Sequence, residues 1–411
     1  MGARLPATDP ALIYLVAPAG NPNYGDEFIL RAWLRYLARV RPGTEVVVDC
    51  HTPGQAAVLL RHCHPRVTFV DTVWRICFES ADQSADQAVA LAADVLDNPG
   101  RLPRIVSGVE LLTRADTVHL VGGGYLNTVW PHHLSLLATA AAAAQQFGVR
   151  AVATGQGLLP TGGDDRRALT QKLGSSFALF DVRDRPSLDA LADSGCPTSF
   201  TGDDAWLGVD DDGVYDRESP AAARDVVFCL QSDLMDDHDD NRGVEGLAAA
   251  VSQLIQQWRL RGEQVAFVEG LPGADRLVYD RVAAQLPGAL FVPFTDLWNR
   301  GVPARAGQTW VSTRFHPHLL AAAVGASGVA VSGRTDYYPI KHESLVAAGS
   351  RWQVSVAGAL PESPPADGGF DAATVARLRA DKLALAAQLY PPPAPPPSRI
   401  RRAIRGISRF R

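Results

Sequence analysis

The chain lacks any apolar run long enough to cross a bilayer: in 411 residues the longest, LSLLATAAAAA, is far short of the roughly 20 residues a span requires. ALIYLVAPAG near the start is also short and has no basic n-region, so neither a transmembrane helix nor a signal peptide is expected. Cysteine is scarce and shows no CxxC spacing. Cys50, Cys63, Cys77, Cys196 and Cys229 exclude a disulfide framework and a zinc ribbon, and a reducing cytoplasm is the expected compartment. His62, Cys63 and His64, with Cys50 and His51 upstream, are near neighbours in an extended stretch whose side chains point to opposite faces, so no metal is assigned to them. Positive charge is not in excess: 39 Lys and Arg against 44 Asp and Glu leave a net charge of −5. No global field holds a nucleic-acid backbone, and an anionic ligand must be gripped by local cations. The GxSxG elbow, the HExxH helix, the deaminase signature and the kinase set are also missing, so those chemistries lack their parts and no cofactor is implied.

What is present is a globular composition, 46% hydrophobic and 20% charged, in a length that suits two domains. The first half alternates short β-rich runs (LIYLVAP, EVVVDC, RVTFV, TVHLVG, RAVATGQG, FALFDVRD, TSFTGD) with amphipathic stretches, the sequence form of βα units on a parallel sheet. Ile29, Trp33, Leu37 and Val40 mark one helical face between the first two runs. Residues 208–224 turn acidic, with Gly and Pro and no apolar period, and read as a linker. The pattern then restarts with DVVFCLQ, QVAFVEG, LFVPF, TWVSTR, GVAVSG and RWQVSV. The expectation is an α/β protein of two Rossmann-like domains, residues 1–207 on the acceptor side and 225–390 on the donor side, facing across a cleft. That plan is similar to the GT-B arrangement of nucleotide-sugar glycosyltransferases, whose ligands sit between the carboxyl ends of both sheets.

Residues 391–411 differ from the rest. PPPAPPP is a stiff extended spacer, and SRIRRAIRGISRFR carries six arginines with Ile400, Ile404, Ile407 and Phe410 on one helical face. Such a helix can lie on an anionic membrane surface; a frayed solvated terminus, or a helix packed on the acidic body, are the plainer alternatives.

Seven segments sit where a strand gives way to a loop or helix. GNPNYGDEFIL offers Asn23, Gly25 and Asp26, with Asp26 and Glu27 placed to cap the following helix. VGGGYLN offers Gly122, Gly123 and Gly124, able either to present backbone N–H groups or simply to turn tightly. TGQGLLP adds Gly155 and Gly157 to the same cleft. FDVRDRPS offers Arg183, which can grip a carboxylate or phosphate or pair with Asp181, Asp184 or Asp203, and Arg185 is its rival. TGDDAWL places Asp203 and Asp204 as structural partners for that arginine. TWVSTRFHPH alternates Arg314 and His316 at a strand end, with Pro317 suited to a first helical position. The positive pole of that helix favours a neutral His316 able to accept a proton. DYYPIKHESL adds Lys341, either solvated at a helix start or a second cation over the cleft.

In order and spacing, NYGDE, VGGGYL, TGQGLLP, VRDRPS, TGDDAWL, STRFH and YYPIKHESL resemble the polysaccharide pyruvyl transferase family, from about Gly20 to Leu345. The resemblance implies transfer of the pyruvyl unit of phosphoenolpyruvate to a sugar of a polysaccharide or glycolipid as a ketal, with no metal required. It implies that Arg183, Arg314 and His316 contact phosphoenolpyruvate, His316 and Arg314 being catalytic. Lys341 completes the donor side, while Asn23, Gly25, Asp26 and Gly122 to Gly124 shape the acceptor side. Two other readings share the architecture: a glycosyltransferase using a nucleotide sugar, for whose ribose Glu343 is the convenient carboxylate, and a non-catalytic glycan-binding protein. The basic tail would hold the enzyme at the inner face of a membrane. Oligomeric state has no signal in the sequence.

Overall fold

A computed structural model describes residues 11–231, 243–332, 338–356 and 360–391; the basic tail and most of the proline spacer lie outside the described residues. Every β-rich run forms a strand. In the first unit these are β1 (Leu12–Val16), β2 (Glu45–Asp49), β3 (Val67–Val70), β4 (Thr117–Leu120), β5 (Arg150–Gln156), β6 (Leu179–Val182) and β7 (Thr198–Phe200), in the spatial order β3-β2-β1-β4-β5-β6-β7. In the second they are β8 (Val226–Cys229), β9 (Val265–Val268), β10 (Leu290–Val292), β11 (Thr309–Ser312), β12 (Ser327–Ser332) and β13 (Gln353–Val356), in the order β10-β9-β8-β11-β12-β13. All pairings are parallel. Central strands covered on both faces must be apolar throughout, and VVFC and TVHL are fully buried.

Both sheets reverse their winding once, between β1 and β4 and between β8 and β11. Loops leaving the two strands at such a point diverge to opposite faces and open a crevice, where α/β folds take their ligands. GNPNYGDE leaves β1, VGGGYL leaves β4, and STRFH leaves β11, so three of the seven segments are gathered there by topology alone.

The helix Tyr24–Val40 is capped by Asn23, whose side chain accepts from the Gly25 N–H, and carries Asp26 and Glu27 in its first turn. The expectation that Asp26 caps is thus corrected: Asn23 precedes the first helical residue and takes the orphan N–H, leaving the Asp26 carboxyl to the cleft. Ile29, Trp33 and Leu37 are buried. The helix start is seated on the second unit: the Tyr24 N–H donates to the Gly270 carbonyl (2.8 Å), the Tyr24 ring packs edge-on against Trp298 (6.0 Å), and the Arg31 guanidinium lies 4.3 Å over Trp298.

Residues 208–224 contain neither helix nor strand yet bury Val209, Val214, Ala221 and Ala222, and Tyr215 bridges to Val302. The helix Ala372–Leu389 departs from the expected boundary at residue 390, because it fastens the chain end to the first unit. Lys382 Nζ donates to buried Asp181 (2.9 Å) and Asp204 (2.9 Å) and to the Gly202 carbonyl (2.7 Å), and Tyr390 Oη meets His119 Nδ1 at 3.0 Å. No helix among the described residues is long and apolar enough to cross a membrane.

Candidate functional site

A cavity of about 360 Å³ lies between the two units, lined from the first by Asn23, Gly25, Asp26, Gly124 and Arg183 and from the second by Arg314, His316 and Lys341. These residues span 318 positions of sequence, from 23 to 341, and the carboxyl ends of the two parallel sheets bring them together.

Arg183 follows β6. Its Nε lies 3.4 Å from Asp184 and its Nη1 3.8 Å from Asp203, and the guanidinium lies 4.8 Å from the Phe315 ring centroid, so it is buried and oriented. A β-carbon on Gly157 would stand 2.4 Å from its Nε, and one on Gly124 would stand 2.8 Å from its Nη2. The glycines of both loops therefore make room for this side chain. Arg185 points away, exposed and paired with Asp189 at 3.1 Å, so Arg183 is the one that faces the cavity. Gly122 and Gly123 do not line it. The Gly122 N–H donates to Asp204 (2.9 Å), and Gly123 pairs with Gly155 and Gly157 beneath the cavity floor, so only Gly124 of the triplet reaches the surface. Asp204 is no partner of Arg183 either. Its carboxylate accepts from Trp33, Thr154, Gly122 and Lys382, because it lies where the floor meets the returning helix.

Arg314 is the N-cap residue of the helix Phe315–Ala323, and Pro317 is its third residue rather than its first. The Arg314 Nε donates to Asp275 (2.6 Å), and a second bond between the pair makes the grip bidentate. Asp275 also accepts from the Gly270 and Leu271 N–H groups, so the arginine stands on an anchored carboxylate. Asp275 lies 39 positions before Arg314, at the start of an ordinary helix, and nothing in its sequence context marks it.

His316 Nε2 lies 3.4 Å from Asp203, which itself caps the turn Asp204–Leu207. Burial alone would raise Asp203, but His316 and Arg183 outweigh it and hold this carboxyl below its usual range. The Nδ1 edge of the ring lies against Gly25, where a β-carbon would stand 1.8 Å away. Burial raises the Asp26 carboxyl, against the opposing pull of His316, Lys341 and Arg314. Lys341 is the fourth residue of the helix Tyr338–Ala348 and is only partly exposed, which sets aside the solvated reading. Burial, and then the charge of Arg183, push its ammonium well below the usual value, against Asp26, Asp203 and Asp184. Its Cε and the Arg183 Nη2 both crowd Gly124, so two like charges share one wall of a desolvated cavity. An anionic ligand placed there would favour the charged form of both side chains.

The five cysteines are free. His62 and His64 go separate ways: His62 Nε2 accepts from the Arg61 Nε–H (3.0 Å) at the surface, and His64 Nδ1 accepts from the Arg66 N–H. The sequence reading missed Asp275, Phe315 and the aromatic wall of Phe78, Trp130, His132 and His133 on the first unit, which line or support the cavity. Only long-range packing brings them there.

A sequence profile described as polysaccharide pyruvyl transferase matches residues 23–293, ending ahead of Arg314 and His316. No curated protein matches the chain. Among solved structures, the UDP-GlcNAc 2-epimerase of Methanocaldococcus jannaschii in complex with UDP-GlcNAc and UDP is 11% identical, with 90% of this chain and 99% of that one covered and a TM-score of 0.51. MnaA of S. aureus with UDP is 14% identical, with 92% and 89% covered and a TM-score of 0.50. At such identities the likeness is one of fold, two Rossmann-like domains in the GT-B manner.

Proposed function

The chain belongs to the polysaccharide pyruvyl transferase family, and from that premise we propose that it moves the pyruvyl group of phosphoenolpyruvate onto two hydroxyls of one sugar as a ketal, releasing phosphate. The observation that carries the reading is the convergence of Arg183 from one unit with Arg314 and Lys341 from the other on a single cavity that also holds His316. Phosphoenolpyruvate bears a phosphate and a carboxylate, and cations on opposite lips of a cleft hold its ends apart and fix the C2 carbon between them.

The enol carbon C3 takes a proton, and the first sugar hydroxyl attacks C2. The C2–O bond to phosphate then breaks, and the second hydroxyl closes the ketal. Of the two hydroxyl protons, one is balanced by the proton gained at C3 and the other leaves with phosphate. Arginine offsets the charge that grows on the leaving phosphate. His316, within reach of Asp203 and facing Asp26, is the group that moves protons. Asn23 donates to Asp26 (2.9 Å), holding that carboxyl toward the acceptor side. The acceptor is a sugar of a polysaccharide or glycolipid, and the scheme routes no step through a metal.

Isothermal titration of phosphoenolpyruvate into the purified protein, beside UDP and GDP, tests the reading. Binding of phosphoenolpyruvate alone, lost in Arg314→Ala and retained in His316→Ala with turnover abolished, is the expected result. Binding of a nucleoside diphosphate in its place would move the assignment to glycosyl transfer. The basic tail would hold the enzyme at an anionic membrane; a chain cut after Tyr390 is then expected to lose sedimentation with anionic vesicles, and equal binding by both forms would remove that role.

A further inference from the structure

On the wall contributed by the first unit, a cluster that pyruvyl transfer does not use brings together Cys77, from the helix Thr72–Glu79, and His132 and His133, from the turn Pro131–His133. One ligand-type atom of each lies within 4.8 Å of both others. Cys77 and His133 are buried, His132 is partly exposed, and both histidines line the cavity.

The surroundings are those of a built site. His133 Nδ1 meets the Tyr125 carbonyl at 3.0 Å. A carbonyl only accepts, so Nδ1 carries the hydrogen and Nε2 presents a lone pair, the outer contact that orients metal-ligating histidines. The His133 ring is stacked on Trp130 (5.9 Å, 10°) and meets Trp74 edge-on at 5.0 Å, which fixes where that lone pair points. The Cys77 sulfur lies 3.5 Å from the His132 carbonyl and so reaches the turn that carries both rings. His51, whose ring centroid is 6.3 Å from that of His133, independently buries an Nε2 with no hydrogen-bond partner. A buried polar atom in that state calls for a partner, which a water or an ion can supply.

We propose that Cys77, His132 and His133 bind a divalent transition metal of the zinc class through one sulfur and two nitrogens, with a fourth position open to the cavity. A thiolate and two imidazoles suit borderline-soft ions and not magnesium or calcium, which take oxygen ligands. Binding forms a metal–sulfur bond and releases the thiol proton to solvent. Cys77 and His132 lie 55 positions apart in sequence, and none of the three ligands is a residue assigned to phosphoenolpyruvate, so the site is tested independently of the pyruvyl transfer reading.

The test uses the untagged full chain, stripped with a chelator and titrated with Co²⁺ under an absorption spectrometer. A thiolate-to-cobalt band in the near ultraviolet that saturates at one equivalent and is displaced by Zn²⁺ is expected. Cys77→Ser removes the band. His132→Ala, a change at a partly exposed turn that leaves the fold intact by circular dichroism, weakens cobalt affinity by about tenfold or more. A wild-type protein with no saturable band, a band that persists in Cys77→Ser, or an unchanged affinity in His132→Ala each overturns the site.

Discussion

Replacing Lys382 by methionine removes one charge and keeps the stem of the side chain. The ammonium makes three bonds of 2.7 to 2.9 Å, to Asp181, Asp204 and the Gly202 carbonyl, and all three side chains are fully buried. Without it two carboxylates face one another with no cation. Each keeps other donors: Asp181 accepts from Gly155, Ser199 and Thr201, and Asp204 from Trp33, Gly122 and Thr154. Deleting one partner of a buried pair costs about 3–5 kcal/mol, and the remaining donors keep the cost within that range. Against a total stability on the order of 5–15 kcal/mol the loss is large. The ammonium is held above its ordinary pKa, chiefly by Asp181 and Asp204 against the opposing effect of burial. Its contribution is therefore fully present below the unfolded value near 10.5 and fades only as pH climbs past it. The wild-type minus Lys382→Met difference, read from denaturant midpoints at equal slope, should be constant from about pH 6 to 9. Since Asp204 also holds the Gly122 N–H, the variant should bind phosphoenolpyruvate more weakly. A difference below about 1 kcal/mol, the value of an exposed pair, would refute the argument.

At Gly25, alanine would place its β-carbon 1.8 Å from His316 Nδ1, so Gly25→Ala should cut turnover by about 10²-fold through a displaced ring while the fold survives; undiminished kcat would show that the ring has room. Arg183→Ala should abolish phosphoenolpyruvate binding in titration calorimetry, whereas Arg185→Ala, exposed and paired only with Asp189, should bind as the wild type does; the reverse result would exchange their assignments. Burial raises the Glu27 carboxyl from 4.5 to about 8, opposed by the Gly20 N–H. The unfolded chain then loses this proton first, so the Glu27 contribution is intact below about pH 4.5, declines with a slope of up to about 1.4 kcal/mol per pH unit, and is gone above pH 8. Glu27→Gln should remove that slope, and parallel stability profiles for the two proteins between pH 5 and 8 would contradict it.

Strands, their parallel pairing and the places where ligand loops begin were legible in the sequence, because burial on both faces demands runs such as VVFC and TVHL and several runs, TVHLVG and TSFTGD among them, end in Gly or Asp. The segments VRDRPS and STRFH could be picked out for the same reason: they follow strand ends. Whether Arg183 or Arg185 faced inward was not legible, since both follow the same strand and only the space left by Gly124 and Gly157 admits one of them. Nor could Asp275 be matched to Arg314, Gly25 to His316, Lys382 to Asp204, or Cys77 to His132. Alternation and capping act over a few residues and are written into the local chain. Those four pairings exist only when two sheets are wound, faced and closed by the last helix, and that arrangement is decided by packing across the whole molecule.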